Sequence, residues 1–127
     1  MTQQKPMKIP GPDHPITIAA NPARVTVSLG DRIVADTIRA VTLQEASYQP
    51  VLYIPREDAD MALLQPTDHV TYCPYKGECS YFSIPSGGPS LANAVWSYEA
   101  PYDAVAQIKG YLAFYPDRGA SVTVAPR

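Results

Sequence analysis

The chain has 127 residues, 46% of them hydrophobic and 17% charged, with a formal net charge of −2. A length below roughly 150 residues argues for one domain built on one core. Ten Lys and Arg against twelve Asp and Glu leave no positive excess to neutralise phosphates, so no nucleic acid is expected as a partner.

The apolar runs, such as residues 51–54, are only a few residues long and fall far short of the roughly 20 a membrane-spanning helix needs, and no membrane partner is expected. Lys5 and Lys8 are not followed by an apolar region, so residues 1–10 do not read as a secretory signal and a cytoplasmic protein is the expectation. Cys73 and Cys79 are the only cysteines, too few for a disulfide scaffold, and a reducing compartment keeps both as thiols.

Fourteen prolines, roughly twice the usual share, organise the chain. Each removes a backbone donor and restricts the residue before it, so punctuation from Pro22, Pro50, Pro55, Pro66, Pro74, Pro85, Pro89, Pro101 and Pro116 excludes long helices. Short strands fit between them. Residues 1–15 are polar and proline-rich and read as a loosely ordered arm; residues 16–127 read as a single domain.

The strand pattern begins at 16–19 and is plainest at 24–29, where Val25, Val27 and Leu29 alternate with Arg24, Thr26 and Ser28. Gly30-Asp31 suits a tight turn returning an antiparallel strand at 32–35. Further strands are expected at 40–43, 51–54, 69–73, 80–84, 94–98, 110–115 and 121–124, about ten in all. Two helical turns interrupt them. Residues 56–64 follow Pro55, carry Glu57 and Asp58 in the first turn and stop at Pro66. Residues 101–109 open on Pro101 and Asp103 and close on Lys109-Gly110, with Ala104, Val105 and Ile108 on one face.

Residues 71–81 read as a hairpin. A five-residue loop over 74–78 puts Cys73 opposite Cys79, with Cβ atoms roughly 4.5–5.5 Å apart, close enough to bond if oxidised. The plainer reading is two buried thiols behaving as small apolar residues. Zinc is not expected, even with His69 and His14 as further ligands: five residues separate the cysteines and there is no second pair. His69 lies about 13 Å from Cys73 along a strand, too far for a catalytic pair. At the loop, Lys76 and Gly77 fit an anion clamp of one compact charge beside an approachable amide, the alternative being a solvated lysine. Tyr72, Tyr75 and Tyr81 stand nearby, and aromatic walls with few polar groups are what small-molecule pockets use.

Neither G-x-x-x-x-G-K-[ST] nor G-x-G-x-x-G occurs, and the glycine cluster at 86–90 reads as a wide turn. Glu57, Asp58 and Asp60 offer hard oxygens to a cation but also suit the start of a helix. Trp96, Tyr98, Tyr102, Tyr111, Phe114 and Tyr115 form a second aromatic concentration, in which Trp96 and Tyr98 share a strand face. That face serves equally as core or pocket wall.

From about Pro22 to Val124 the chain resembles the DUF427 family, sometimes labelled nucleotidyltransferase-like. The resemblance rests on Tyr53-x-Pro55-Arg56-x-Asp58, the run from Thr71 to Gly77, Ser80-Tyr81, Trp96-x-Tyr98 and the run Ile108-Lys109-Gly110-Tyr111-x-Ala113-Phe114-Tyr115. It implies a small, mainly β domain of antiparallel sheets and a pocket around the Cys-Pro-x-Lys-Gly loop, and the elements above are read as packed or strongly bent sheets with one or two short helices. It implies no established reaction. The leading expectation is therefore a pocket for a small, anionic metabolite, with Lys76 and Gly77 meeting the charge and Tyr72, Cys73, Tyr81, Trp96 and Tyr98 around it, without cofactor or metal. The rivals are a structural or protein-interaction domain, including a homodimer through a flat tyrosine surface, a nucleotidyltransferase-like enzyme, and a thiol enzyme using Cys73 with Cys79.

Overall fold

The computed structural model describes residues 6–115 and 120–125. Among them the period-two segments form ten strands: β1 (Ile16–Asn21), β2 (Arg24–Leu29), β3 (Arg32–Thr37), β4 (Ala40–Glu45), β5 (Val51–Tyr53), β6 (Gln65–Cys73), β7 (Gly77–Ser83), β8 (Val95–Ser97), β9 (Ala113–Phe114) and β10 (Ser121–Ala125). Every expected strand has its counterpart, and the protein is mainly β. Residues 1–5 of the arm and Pro116 lie outside the described residues.

The strands make three antiparallel sheets, ordered β1-β4-β5, β10-β2-β3 and β6-β7-β8-β9. Gly30 takes a positive φ of 59°, and Leu29 pairs with Arg32, so the first hairpin turns where glycine permits it. A two-way bridge joins the first sheet to the third: Ile54 and Leu112 exchange N–H···O bonds, both 2.8 Å.

The 3₁₀ turns Arg56–Asp58 and Met61–Leu63 stand where one helix of residues 56–64 was expected. The edge of β3 interrupts it. Ala59 is extended and bridges Ala35, Asp60 N–H donates to Val34 O at 2.7 Å, and the Asp60 carboxylate then caps the second turn at Ala62 N. Asp103–Ile108 is likewise 3₁₀, kinked at Val105. Gly88, with φ of 79°, links two further 3₁₀ turns across the glycine cluster. Pro66, expected only to end a helix, lies inside β6, a sheet edge where its missing donor costs nothing.

The core has two parts. The first is aliphatic, built on Val25, Val27, Val34, Ile54, Ile84 and Leu112 with Phe82 and Phe114. The second contains Leu43, Val105 and Ile108 but also Tyr53, Cys79 and Tyr98. No helix among the described residues is long and apolar enough to cross a membrane.

Candidate functional site

The 71–81 hairpin differs from expectation in its register. Pro74 opens a reverse turn in which Lys76 N–H donates to Cys73 O at 3.2 Å, and Gly77 follows with φ of 107°. The loop is thus three residues, 74–76, and Cys73 pairs with Gly77 while Cys79 pairs with Thr71. The two cysteines are not opposite one another, because the positive φ that Gly77 supplies lets the chain turn two residues sooner. Gly77 has room for a Cβ, its nearest neighbour being Ala100 O at 3.6 Å, so the backbone angle is what calls for glycine.

This tighter loop sends Lys76 inward. The residue is 8% exposed, where a solvated tip was the alternative; its ammonium pairs with Glu45 Oε1 and lies 5.8 Å from the centre of the Tyr98 ring. Glu45 ends β4, and its other oxygen, Oε2, is 2.8 Å from His14 Nε2. Burial pushes the Glu45 carboxyl up, but the hydrogen bonds from Lys76 and His14 outweigh it and hold the group below its ordinary value. His14 stacks on Tyr75 with centroids 4.1 Å apart and planes at 10°. Lys8 N–H donates to Pro74 O at 2.9 Å, so the segment before β1 lies across the loop. Between them is a cleft of about 350 Å³ walled by Lys8, Ile9, Asp13, His14 and Tyr75.

Inward of Lys76, strand alternation puts Thr71 and Cys73 of β6, Cys79 and Tyr81 of β7 and Trp96 of β8 on one sheet face, with Tyr98 beyond. Tyr53 of β5 packs against it. The Cys79 thiol is ringed by the hydroxyls of Tyr81, Thr71 and Tyr98, and burial nevertheless raises it above an ordinary thiol. Tyr81 and Thr71 hydroxyls are 2.9 Å apart, and Trp96 Nε1 donates to the Tyr53 hydroxyl at 3.3 Å. Burial also raises the Tyr53 and Tyr98 hydroxyls, which stay neutral at physiological pH.

Of the expected ligand residues, the structure gathers Lys76, Gly77, Cys73, Tyr81, Trp96 and Tyr98 around this face. It sets Tyr72 apart: the Tyr72 side chain leaves by the opposite face, its hydroxyl 2.6 Å from that of Tyr102. Sequence reading missed Glu45 and Tyr53 and gave His14 a different role. The signal for Glu45 was its period-two relation to Val41 and Leu43, which puts a carboxylate on a core-facing row.

The other candidate chemistries find structural partners. Asp58 receives hydrogen bonds from Thr37 at 2.7 Å and Arg39 at 3.0 Å, and Asp60 caps a turn. Among the described residues no three His, Cys, Asp or Glu converge as a metal site. Arg56 binds Gly110 O at 3.0 Å and Ser97 Oγ at 3.2 Å, tying the segment after β5 to the turn before β9.

The segments Tyr53–Asp58, Thr71–Gly77, Trp96–Tyr98 and Ile108–Tyr115 bring Tyr53, Tyr98, Ile108 and Ala113 into the second core, with Cys73, Trp96 and Tyr111 packed against it. A search of curated proteins finds no significant match. The family model described as Domain of unknown function (DUF427) matches residues 17–125, and the chain belongs to that family.

Proposed function

We propose that the protein binds a small, anionic metabolite at the Cys-Pro-Tyr-Lys-Gly loop. The observation that carries this reading is the charge chain from Lys76 through Glu45 to His14, which runs from a buried aromatic face to an open cleft holding a second cation, Lys8. A lysine kept this dry, beside a tyrosine ring, is an anion receptor whose acceptor place is filled by a carboxylate from the protein itself. Glu45 has two oxygens on two partners, so an incoming anion takes Lys76 while Oε2 stays with His14. An ammonium has three donors, and a ligand carboxylate or phosphate satisfies more of them than one Glu45 oxygen does.

A thiol enzyme is less well supported. Cys79 is buried with a raised pKa, the opposite of an activated nucleophile, and Cys73 faces Gly77 rather than a resolving thiol.

The test is a thermal-shift panel of small carboxylates and phosphates, followed by calorimetry on each compound that stabilises. Wild type is expected to respond to a subset of anions and Lys76→Met to none. An equal response from both would overturn the assignment of the charge to Lys76.

A further inference from the structure

A second feature is independent of Lys76. The three sheets do not close completely where they meet, leaving a cleft of about 240 Å³. Val27 of β2 and Val122 of β10 come from one sheet, Leu52 and Ile54 from the β5 side, and Trp96 and Phe114 from β8 and β9. Among the described residues no charged side chain lines it; the polar side chain there is the amide of Gln49, an exposed residue.

Trp96 is fixed before any ligand arrives. Its N–H is held by the buried Tyr53 hydroxyl at 3.3 Å, and its ring packs on Tyr115 with centroids 4.6 Å apart. A wall whose rotamer is already set loses little freedom on binding, which separates a prepared site from a packing gap. An apolar cavity of about 150 Å³ stays dry and takes up benzene. On that scale this cleft holds a substituted ring or a fused pair.

We infer that this cleft is a binding site for a planar, uncharged aromatic group of one or two rings, in contact with Trp96 and Phe114 and with its polar substituent toward Gln49. The site shares Trp96 with the aromatic face inward of Lys76 but does not involve Lys76 itself, and neither reading depends on the other.

The chain has a single tryptophan, so its one indole N–H resonance in a ¹H–¹⁵N spectrum reports on the site directly. Titration with 2-naphthol is expected to move that resonance saturably, with Kd of about 1 mM or tighter. Val122→Phe fills the cleft from a half-buried position and is expected to weaken the probe by about tenfold or more while the spectrum stays dispersed. Should that variant unfold, Leu52→Phe, also half-buried, fills the same space. Lys76→Met should leave the naphthol titration unchanged, and Val122→Phe should leave the anion panel unchanged, so the two sites fail separately. An indole resonance that does not move up to the solubility of 2-naphthol, or that moves equally in a folded cleft-filled variant, would overturn the inference.

Discussion

The two parts of the core bury side chains on different terms. In the first, Val25, Val27, Val34, Ile54, Leu112 and their neighbours bring almost no polar atoms out of water, and transfer of apolar area accounts for their stabilisation. In the second, Tyr53, Cys79, Tyr98 and Lys76 bring a polar atom each, and every one of these costs free energy unless it is partnered. The described side chains leave no buried nitrogen or oxygen without a hydrogen bond, so the second core achieves this, but only through several sets of hydroxyl, thiol, indole, carboxylate and ammonium contacts. Aliphatic residues would have filled the same space more simply. The difference teaches where function is to be sought: the aliphatic core explains why the chain folds, and the polar one carries groups that folding alone does not require.

The comparison can be broken at several points. The largest expected loss is in the aliphatic core: Leu112→Ala, at a fully buried site, should cost about 2–5 kcal/mol in urea denaturation and leave anion binding intact. Next comes Glu45→Ala, which strands the Lys76 ammonium. Because both side chains keep slight exposure, 10% and 14%, the loss should fall somewhat below the ~3–5 kcal/mol of a fully enclosed pair. Tyr98→Phe removes one hydroxyl from the Cys79 ring and should cost about 1 kcal/mol. At the small end, Arg24→Ala breaks a solvent-exposed pair with Asp36 and should leave the unfolding midpoint unchanged.

Acid titration sharpens the same contrast. The folded Glu45 carboxyl lies below its unfolded value, so its contribution is fully present above the ordinary carboxylate pKa of about 4.3 and is lost as pH falls through the folded value. In Lys76→Met the strongest opposing partner is gone and burial raises the carboxyl, so the folded state no longer resists protonation of Glu45 and the acid limb of a stability-versus-pH curve should be shallower than in wild type. Coincident acid limbs would show that Lys76 does not hold Glu45 in its charged form.

Strand positions were legible because alternation is a local property of residues such as Val25, Val27 and Leu29. Sheet order was not: the pairings of β1 with β4 and of β2 with β10 join segments whose hydrogen bonds leave no mark on sequence spacing. The helix expected over 56–64 failed because an edge strand captured Ala59, a tertiary contact that outweighed helical end signals. The loop length hung on one glycine, since a positive φ at Gly77 moved Cys79 from opposite Cys73 to opposite Thr71. Most site residues could be found from their chemistry, yet Tyr72 was included where period two alone sends it to the far face. Glu45 was missed because a carboxylate near a strand end reads as solvated until its ammonium partner is seen to be buried.

The central claim is that the Lys76–Glu45 pair serves binding rather than folding. Replacing both partners together, as Lys76→Met with Glu45→Leu, tests it most directly, because exchanging a buried ion pair for well-packed apolar groups is often neutral or stabilising. Urea denaturation and anion calorimetry on that double variant should give a midpoint equal to or above wild type and no anion binding. A large fall in the midpoint with anion binding retained would contradict the account.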